Sequence, residues 1–117
     1  METVRRGVAE GPVEEEVREI YYRGGSLPCP AGCGGAAERV RVVTTEMGGG
    51  EVWLECKSCA QRGSFELPPP TAEERAEVRE AVRGGRGVGC PRHWHPVQLR
   101  RRGRDLVCPE CGVLYGR

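Results

Sequence analysis

The spacing of cysteine and histidine is the feature that most limits how this chain can fold. The first group has CPAGC at residues 29–33 and CKSC at residues 56–59, separated by 22 residues. A tetrahedral zinc site made of thiolates needs two tight turns, each offering two sulfurs, and a hairpin that brings the turns together. The sequence therefore predicts a first structural Zn²⁺ site made of Cys29, Cys33, Cys56 and Cys59.

A second group has CPRHWH at residues 90–95 and CPEC at residues 108–111. The gap of 14 residues suits a shorter hairpin, and two-residue spacing favours His93 over His95 as the histidine ligand. His95 stays an alternative ligand. The predicted second Zn²⁺ site consists of Cys90, His93, Cys108 and Cys111. The two sites together account for all seven cysteines.

Composition explains why metal is needed. The 117 residues are 38% apolar and only 5% aromatic, which fits one or two very small domains whose apolar burial supplies about 3–5 kcal/mol. No stretch approaches the roughly 18 apolar residues of a membrane span, and the first residues do not resemble a signal peptide. We therefore expect a cytoplasmic protein without a membrane partner, in which closely spaced cysteines bind metal rather than form disulfides.

A helix is expected in an N-terminal segment, residues 1–25. Pro12 suits the first helical position and Gly24 the position after the end. The apolar residues recur with helical spacing and are expected to pack on the ribbon that follows; the alternative is that they pack on a second protein. They are Val13, Val17, Ile20 and Tyr21.

Strand and turn signals divide the rest of the chain. ERVRVVTTE and VWLEC flank the turn MGGGE, and RGSFEL follows, which predicts a first zinc ribbon at residues 26–68. Thr71 and Glu74 form a capping-box pattern for a helix through about Arg83, and a flexible glycine-rich joint completes a connecting segment at residues 69–89. PVQLRR and RDLVC predict the hairpin of a second ribbon at residues 90–117. The predicted fold is a small zinc-stabilised α+β protein with two tandem zinc ribbons, built as antiparallel hairpins, an N-terminal helix and a connecting helix.

Charge is distributed unevenly along the chain. Residues 1–83 carry 11 basic and 15 acidic side chains, whereas residues 84–117 carry 7 and 2. Four arginines lie at the predicted tip of the second hairpin, where their planar donor groups suit phosphate contacts. They are Arg100, Arg101, Arg102 and Arg104. The alternative is a turn that is merely solvated.

Two aromatic residues beside the second site have two interpretations. Trp94 and Tyr115 could stack on a base, or they could cover the metal site, and the second interpretation is favoured because a ribbon has little else to bury. The basic residues comprise 17 arginines and one lysine, and asparagine is absent, which is typical of a GC-rich or thermophilic source.

Enzymatic activity is not expected. Catalytic zinc usually keeps three protein ligands and an open position, whereas both predicted sites are closed. The nearest enzymatic pattern is the nucleobase-deaminase signature H-x-E…P-C-x-x-C. In this chain the residue two positions after His93 is not a glutamate, and the residue before Cys108 is Val107 and not the proline of the signature. We expect no small-molecule substrate.

Residues 27–83 contain the pieces CPAGCGG, ECKSCAQRG and AEERAEVREAV. With these pieces the segment resembles the restriction-alleviation (Lar-like) zinc-ribbon proteins common in phages and prophages. The chain departs from the pattern by an extra residue in the first pair, by Ala60 in place of the usual glycine, and by the absence of the Trp and Asn that often end the family's helix. The resemblance implies a small accessory protein of phage type that acts near DNA-processing machinery. Two hypotheses follow: an accessory factor that binds nucleic acid through the second hairpin, or a protein-binding adaptor or inhibitor that docks on host DNA-processing or transcription machinery.

Overall fold

The chain forms an α+β fold in the computed structural model, which describes residues 14–85 and 87–116. Pro12 and Val13 lie outside the described residues. The two described helices are α1 (Glu14–Arg23) and α2 (Ala72–Arg83), and neither is long and apolar enough to cross a membrane. The strands are β1 (Leu27–Pro28), β2 (Ala36–Thr44), β3 (Gly50–Cys56), β4 (Arg62–Leu67), β5 (Arg100–Arg102), β6 (Asp105–Val107) and β7 (Leu114–Gly116).

The first sheet is antiparallel with the order β1-β2-β3-β4. Its central strand β3 alternates between buried and half-buried residues, as expected for a sheet with one face toward a core. Val52 lies opposite Val42 on one side and Phe65 on the other. The three strands predicted for this region are confirmed.

Helix α1 packs its apolar stripe against this sheet. Val17 and Tyr21 are buried, Ile20 packs beside them, and the Tyr21 ring meets the edge of the Phe65 ring at 5.4 Å between centroids. The predicted amphipathic face is therefore confirmed for the described part of the helix.

Helix α2 begins and ends where the sequence predicts. The Thr71 hydroxyl accepts a hydrogen bond from the Glu74 amide at 3.1 Å, and the Glu74 carboxylate accepts one from the Thr71 amide at 2.9 Å. This reciprocal capping box satisfies two of the free amides at the helix start. Val78 is the one buried residue of α2, so most of the helix surface faces solvent.

The second sheet is antiparallel with the order β5-β6-β7. Arg102 pairs with Asp105, which leaves a two-residue turn whose first position, Gly103, has a φ of 62°. Glycine at this position is typical of the II′ turns that join tight hairpins. The hairpin is as predicted, whereas β7 is an additional strand.

The two halves of the chain touch along a continuous interface. We call residues 27–67 the first module and residues 87–116 the second module. A β-carbon added to Gly50 would overlap the carbonyl oxygen of Cys111, so only glycine allows this approach. The Thr44 hydroxyl donates to the carbonyl of Gly112 at 2.6 Å, and the Leu114 amide donates to the carbonyl of Gly48 at 2.8 Å.

Helix α1 contacts both modules, not the first ribbon alone as the sequence predicts. The Tyr21 hydroxyl donates to the backbone carbonyl of Glu110, and the Trp94 amide donates to the carbonyl of Tyr22 at 3.0 Å. Buried residues from α1, both sheets and α2 consequently form a single hydrophobic cluster. The boundaries drawn after residues 25, 68 and 89 stay predictions.

Candidate metal centres

The first cysteine cluster joins two turns of the first module. Cys29 follows β1 and Cys56 ends β3, whereas Cys33 and Cys59 lie in the turns after them. The Sγ atoms of Cys29 and Cys59 are 3.6 Å apart, and those of Cys33 and Cys56 are 3.5 Å apart. Four sulfurs placed tetrahedrally about 2.3 Å from a zinc ion would be about 3.8 Å apart. The cluster therefore has the size of a four-thiolate metal site.

Backbone amides surround these sulfurs. Ala31 donates to Cys29 Sγ at 3.2 Å, Gly35 to Cys33 Sγ at 3.4 Å, and Ser58 to Cys56 Sγ at 3.3 Å. Such hydrogen bonds stabilise thiolates, the form of cysteine that binds metal. The turns are thus shaped to support negative charge on the sulfurs.

The second turn contains one strained residue. Ala60 has a φ of 64°, in the left-handed region where glycine is preferred. Glycine would adopt this backbone without strain, and alanine here costs about 1 kcal/mol. The turn nevertheless forms, because the Ala60 amide donates to the carbonyl of Cys56 at 3.0 Å.

The four thiols compete for charge. Backbone amides of Cys33 and Ala31 lower the pKa of Cys29 to about 6. The Gly35 amide lowers the pKa of Cys33, but the neighbouring sulfurs outweigh it and raise that pKa to about 12. The pKa of Cys56 is lowered as well, mainly by the Cys59 amide, whereas that of Cys59 is raised, so two thiols favour the charged form and two keep their protons. A bound dication would remove this conflict.

The second cluster brings together the residues predicted for it. The Sγ atoms of Cys90 and Cys111 are 3.9 Å apart, and Cys108 Sγ lies 3.4 Å from His93 Nε2. All four ligand atoms lie within 4.8 Å of one another. The structure groups His93, and not His95, with the three cysteines.

Sulfur charge also dominates the second cluster. Hydrogen bonds from the thiols of Cys108 and Cys111 lower the pKa of Cys90, and hydrogen bonds with Cys108 and Cys90 raise the pKa of Cys111. Burial lowers the pKa of His93, but its contacts with Cys108 and Cys90 prevail and raise it to about 9. An imidazole held against thiolates attracts a proton or a metal ion.

The two aromatic residues beside this cluster behave differently. Tyr115 is buried, and its hydroxyl lies 3.2 Å from Cys90 Sγ, so it covers the second cluster as the favoured interpretation expects. Trp94 is 69% exposed, and the same interpretation is wrong for it. Its ring contacts the guanidinium of Arg23, whose Cζ lies 5.9 Å from the ring centroid.

The four arginines of the second hairpin are exposed. Among residues 14–85 and 87–116, no acidic side chain forms an ion pair with any of Arg100, Arg101, Arg102 and Arg104. Arg100–Arg102 border a cleft of about 270 Å³ between the modules, whose other walls include Val42, Thr44 and Pro109. The structure thus leaves a concentrated positive surface beside the second cluster.

Two groups near the second cluster were not identified from the sequence. The Oε1 atom of Glu110 lies 3.4 Å from the Nε2 atom of His95. The side chain of Arg92 is enclosed by α2 and by the segment that precedes this helix. The signal for Glu110 was its place inside the CPEC turn, which faces the CPRHWH turn. Nothing local in the sequence marks Arg92, because its partners lie 18 or more residues away.

No protein-family model, curated protein or solved structure matches this chain. The resemblance to the Lar-like proteins consequently stays a prediction from its motifs. The chain has two clusters whose donor atoms and spacing are compatible with metal binding.

Proposed function

We propose that this chain is a non-enzymatic zinc-ribbon protein with two structural Zn²⁺ ions, and that it binds nucleic acid through the hairpin β5–β6. Zinc suits a four-thiolate and a three-thiolate, one-imidazole donor set better than the oxygen-preferring ions do. Sulfur separations of 3.5–3.9 Å support the same ion.

A structural role for both ions follows from the number of ligands. Each cluster offers four protein ligands, so a tetrahedral ion would have no position left for a reacting water. The sulfurs of Cys90, Cys108 and Cys111 are also withdrawn from solvent. We therefore assign no catalytic residue.

The observation that carries nucleic-acid binding is the group of four exposed arginines without acidic partners among the described residues. Side chains alternate along a strand, so Arg100 and Arg102 share one face of β5 and Arg101 points to the other. A projecting hairpin with charge on both faces can contact phosphates. It has no helix to fill a major groove, so we expect phosphate contacts without base reading and a dissociation constant of roughly 10⁻⁴ to 10⁻⁶ M at physiological salt.

The test compares two variants with the same change in net charge. The first replaces all four hairpin arginines with serine. The matched control replaces four other arginines with serine in the same way. They are exposed on β4 and α2: Arg62, Arg75, Arg79 and Arg83. Fluorescence anisotropy of labelled DNA duplex, single-stranded DNA and RNA is measured over a range of salt concentrations.

We expect the hairpin variant to lose most of its affinity. On duplex DNA, its slope of log affinity against log salt should flatten by up to about 3.6, at 0.9 per phosphate contact. The control should change the slope by much less. If the parent binds no nucleic acid at low salt, or both variants behave alike, nucleic-acid binding by the hairpin is wrong and the adaptor hypothesis replaces it. A partner protein that stays bound at high salt after nuclease treatment would support that alternative.

A further inference from the structure

We propose that His95 and Glu110, together with His93, form an exchangeable site for a divalent metal ion at the mouth of the second cluster, and that Zn²⁺ enters and leaves the cluster through it. This inference rests on the proposed occupation of that cluster by zinc. It assigns a role to two residues that the four-ligand site does not use.

The three side chains converge on one point. One ligand atom from each of His93, His95 and Glu110 lies within 4.8 Å of the other two. His95 Nε2 and Glu110 Oε1 are 3.4 Å apart, and the rings of His93 and His95 have centroids 5.4 Å apart. Imidazole nitrogens and carboxylate oxygens bind Zn²⁺ at about 2.0–2.2 Å, so ligand atoms of one ion lie within about 4.4 Å of each other. Small side-chain rotations therefore suffice to form the site.

His93 has one nitrogen to spare. Its Nε2 faces Cys108 Sγ, whereas its Nδ1 is buried and has no hydrogen-bond partner among the described residues. Histidine ligands normally engage the second ring nitrogen with a carboxylate, a carbonyl or water. A histidine that binds an inner ion through Nε2 and an outer ion through Nδ1 must release its remaining N–H proton to solvent, and no other described residue holds Nδ1 by a hydrogen bond.

Solvent access points to the same route. Cys90, Cys108 and Cys111 are 6%, 0% and 0% exposed, so an ion cannot reach their sulfurs directly from solvent. The side chains of His95 and Glu110 are 44% and 39% exposed, and they lie next to His93, the half-buried member of the second cluster. An incoming ion meets these two ligands first.

The first cluster needs no such entrance and serves as an internal control. Its residues Cys33 and Cys59 are exposed, so an exchanging ion can bind a cysteine sulfur at once. Removing His95 and Glu110 as ligands should therefore affect exchange at the second cluster alone.

The experiment follows the replacement of Zn²⁺ by ¹¹³Cd²⁺ in the full chain. Four-sulfur and three-sulfur, one-nitrogen sites give separate ¹¹³Cd resonances, so each cluster reports its own rate. The variant is His95→Gln with Glu110→Gln; the backbone carbonyl of Glu110 that accepts from Tyr21 is retained. We expect exchange at the second cluster to slow at least about tenfold, the scale on which residues next to a metal ligand act, while the first cluster keeps the parent rate.

A second measurement requires no variant. The Zn²⁺-loaded parent should bind one additional Co²⁺ weakly and without a sulfur-to-cobalt charge-transfer band, and the double variant should not. Equal exchange rates at the second cluster, or no additional Co²⁺ on the parent, would overturn the entry site. If neither cluster gives a ¹¹³Cd resonance typical of thiolate ligation, the proposed zinc-binding function itself fails.

Discussion

Glu74 accepts hydrogen bonds from Arg92 at both carboxylate oxygens, each at 2.9 Å from a guanidinium nitrogen. The same carboxylate caps α2, because Oε1 also accepts from the Thr71 amide. Burial raises the pKa of Glu74, but Arg92 and Thr71 outweigh it and hold the pKa below its ordinary value. The remaining donors of Arg92 bind the Tyr22 hydroxyl and the carbonyls of Pro68 and Pro69. One side chain thus joins both helices to the second module.

Replacing Arg92 with alanine should lower the free energy of unfolding by about 3 kcal/mol, since the Arg92 side chain is only 8% exposed and its loss leaves Glu74 unpaired. Arg92→Lys should be nearly as harmful, because a lysine cannot reproduce five donors in a planar array. Urea denaturation in excess zinc measures both. The control Arg83→Ala removes an exposed pair with Glu80 and should cost less than about 0.5 kcal/mol. Equal costs for Arg92→Ala and Arg83→Ala would contradict this.

Local sequence signals account for both described helices, for strands β2 to β6 and for the cysteine clusters, but not for β1 and β7. The capping box at Thr71, the alternation that gives β3 and the spacing of Cys29 and Cys33 each involve residues a few positions apart. Short-range physics determines such features: a capped helix, a pleated strand and a tight turn form from neighbouring residues.

The contact between the modules could not be predicted in this way. It depends on pairs such as Tyr21 with Glu110 and Thr44 with Gly112, which are 89 and 68 residues apart. A tyrosine in a helical stripe shows that one face is apolar, but not which surface covers it. The prediction that Trp94 covers the second cluster was wrong for the same reason. Its position next to His93 in the sequence does not indicate whether α1 covers the ring or leaves it exposed.

Gly50→Ala tests this contact directly. The added methyl group would overlap the carbonyl of Cys111, which belongs to the second cluster, and we expect a loss of about 3 kcal/mol in stability from overpacking. Gly85→Ala is the control: it has a φ of 72° but open space around it, so it should cost only about 1 kcal/mol. Thermal denaturation of the zinc-loaded proteins compares them. A fully tolerated Gly50→Ala would mean that the modules do not approach this closely.

Zinc removal should unfold both sheets together. Structural zinc contributes on the order of 10 kcal/mol per site, whereas a core of this size supplies about 3–5 kcal/mol. Residues of both sheets belong to one hydrophobic cluster, so we expect the sheets to unfold together once the ions are removed. Circular dichroism and elemental analysis during titration with a strong chelator follow the process. We expect two zinc ions per chain at the start; fewer than two, or an unchanged spectrum after their removal, would refute the prediction.

Metal loading should release protons at pH 7. Neighbouring sulfurs raise the pKa of Cys33 to about 12, and contacts with Cys108 and Cys90 raise that of His93 to about 9. Neighbouring thiols likewise raise the pKa values of Cys59 and Cys111, although Cys59 also accepts the Gln61 amide, which lowers its pKa. These four groups hold protons in the metal-free protein and must lose them on binding, so we expect at least about four protons per chain and an affinity that rises with pH. Calorimetric titrations in two buffers with different ionisation enthalpies count the released protons. A heat of binding that does not depend on the buffer would contradict the predicted proton release.

Tyr115→Phe should weaken the second zinc site and leave the first unchanged. Burial raises the pKa of Tyr115, so its hydroxyl keeps its proton and can donate to the sulfur of Cys90 at 3.2 Å. A hydrogen bond to a charged sulfur contributes about 1.5–3 kcal/mol, and its loss should raise the zinc dissociation constant of the second cluster at least about tenfold. Competition with a chelator of known affinity measures each site. Trp94→Phe is the matched control, because that ring lies mostly in solvent. If Tyr115→Phe and Trp94→Phe release zinc alike, the hydroxyl does not support the thiolate.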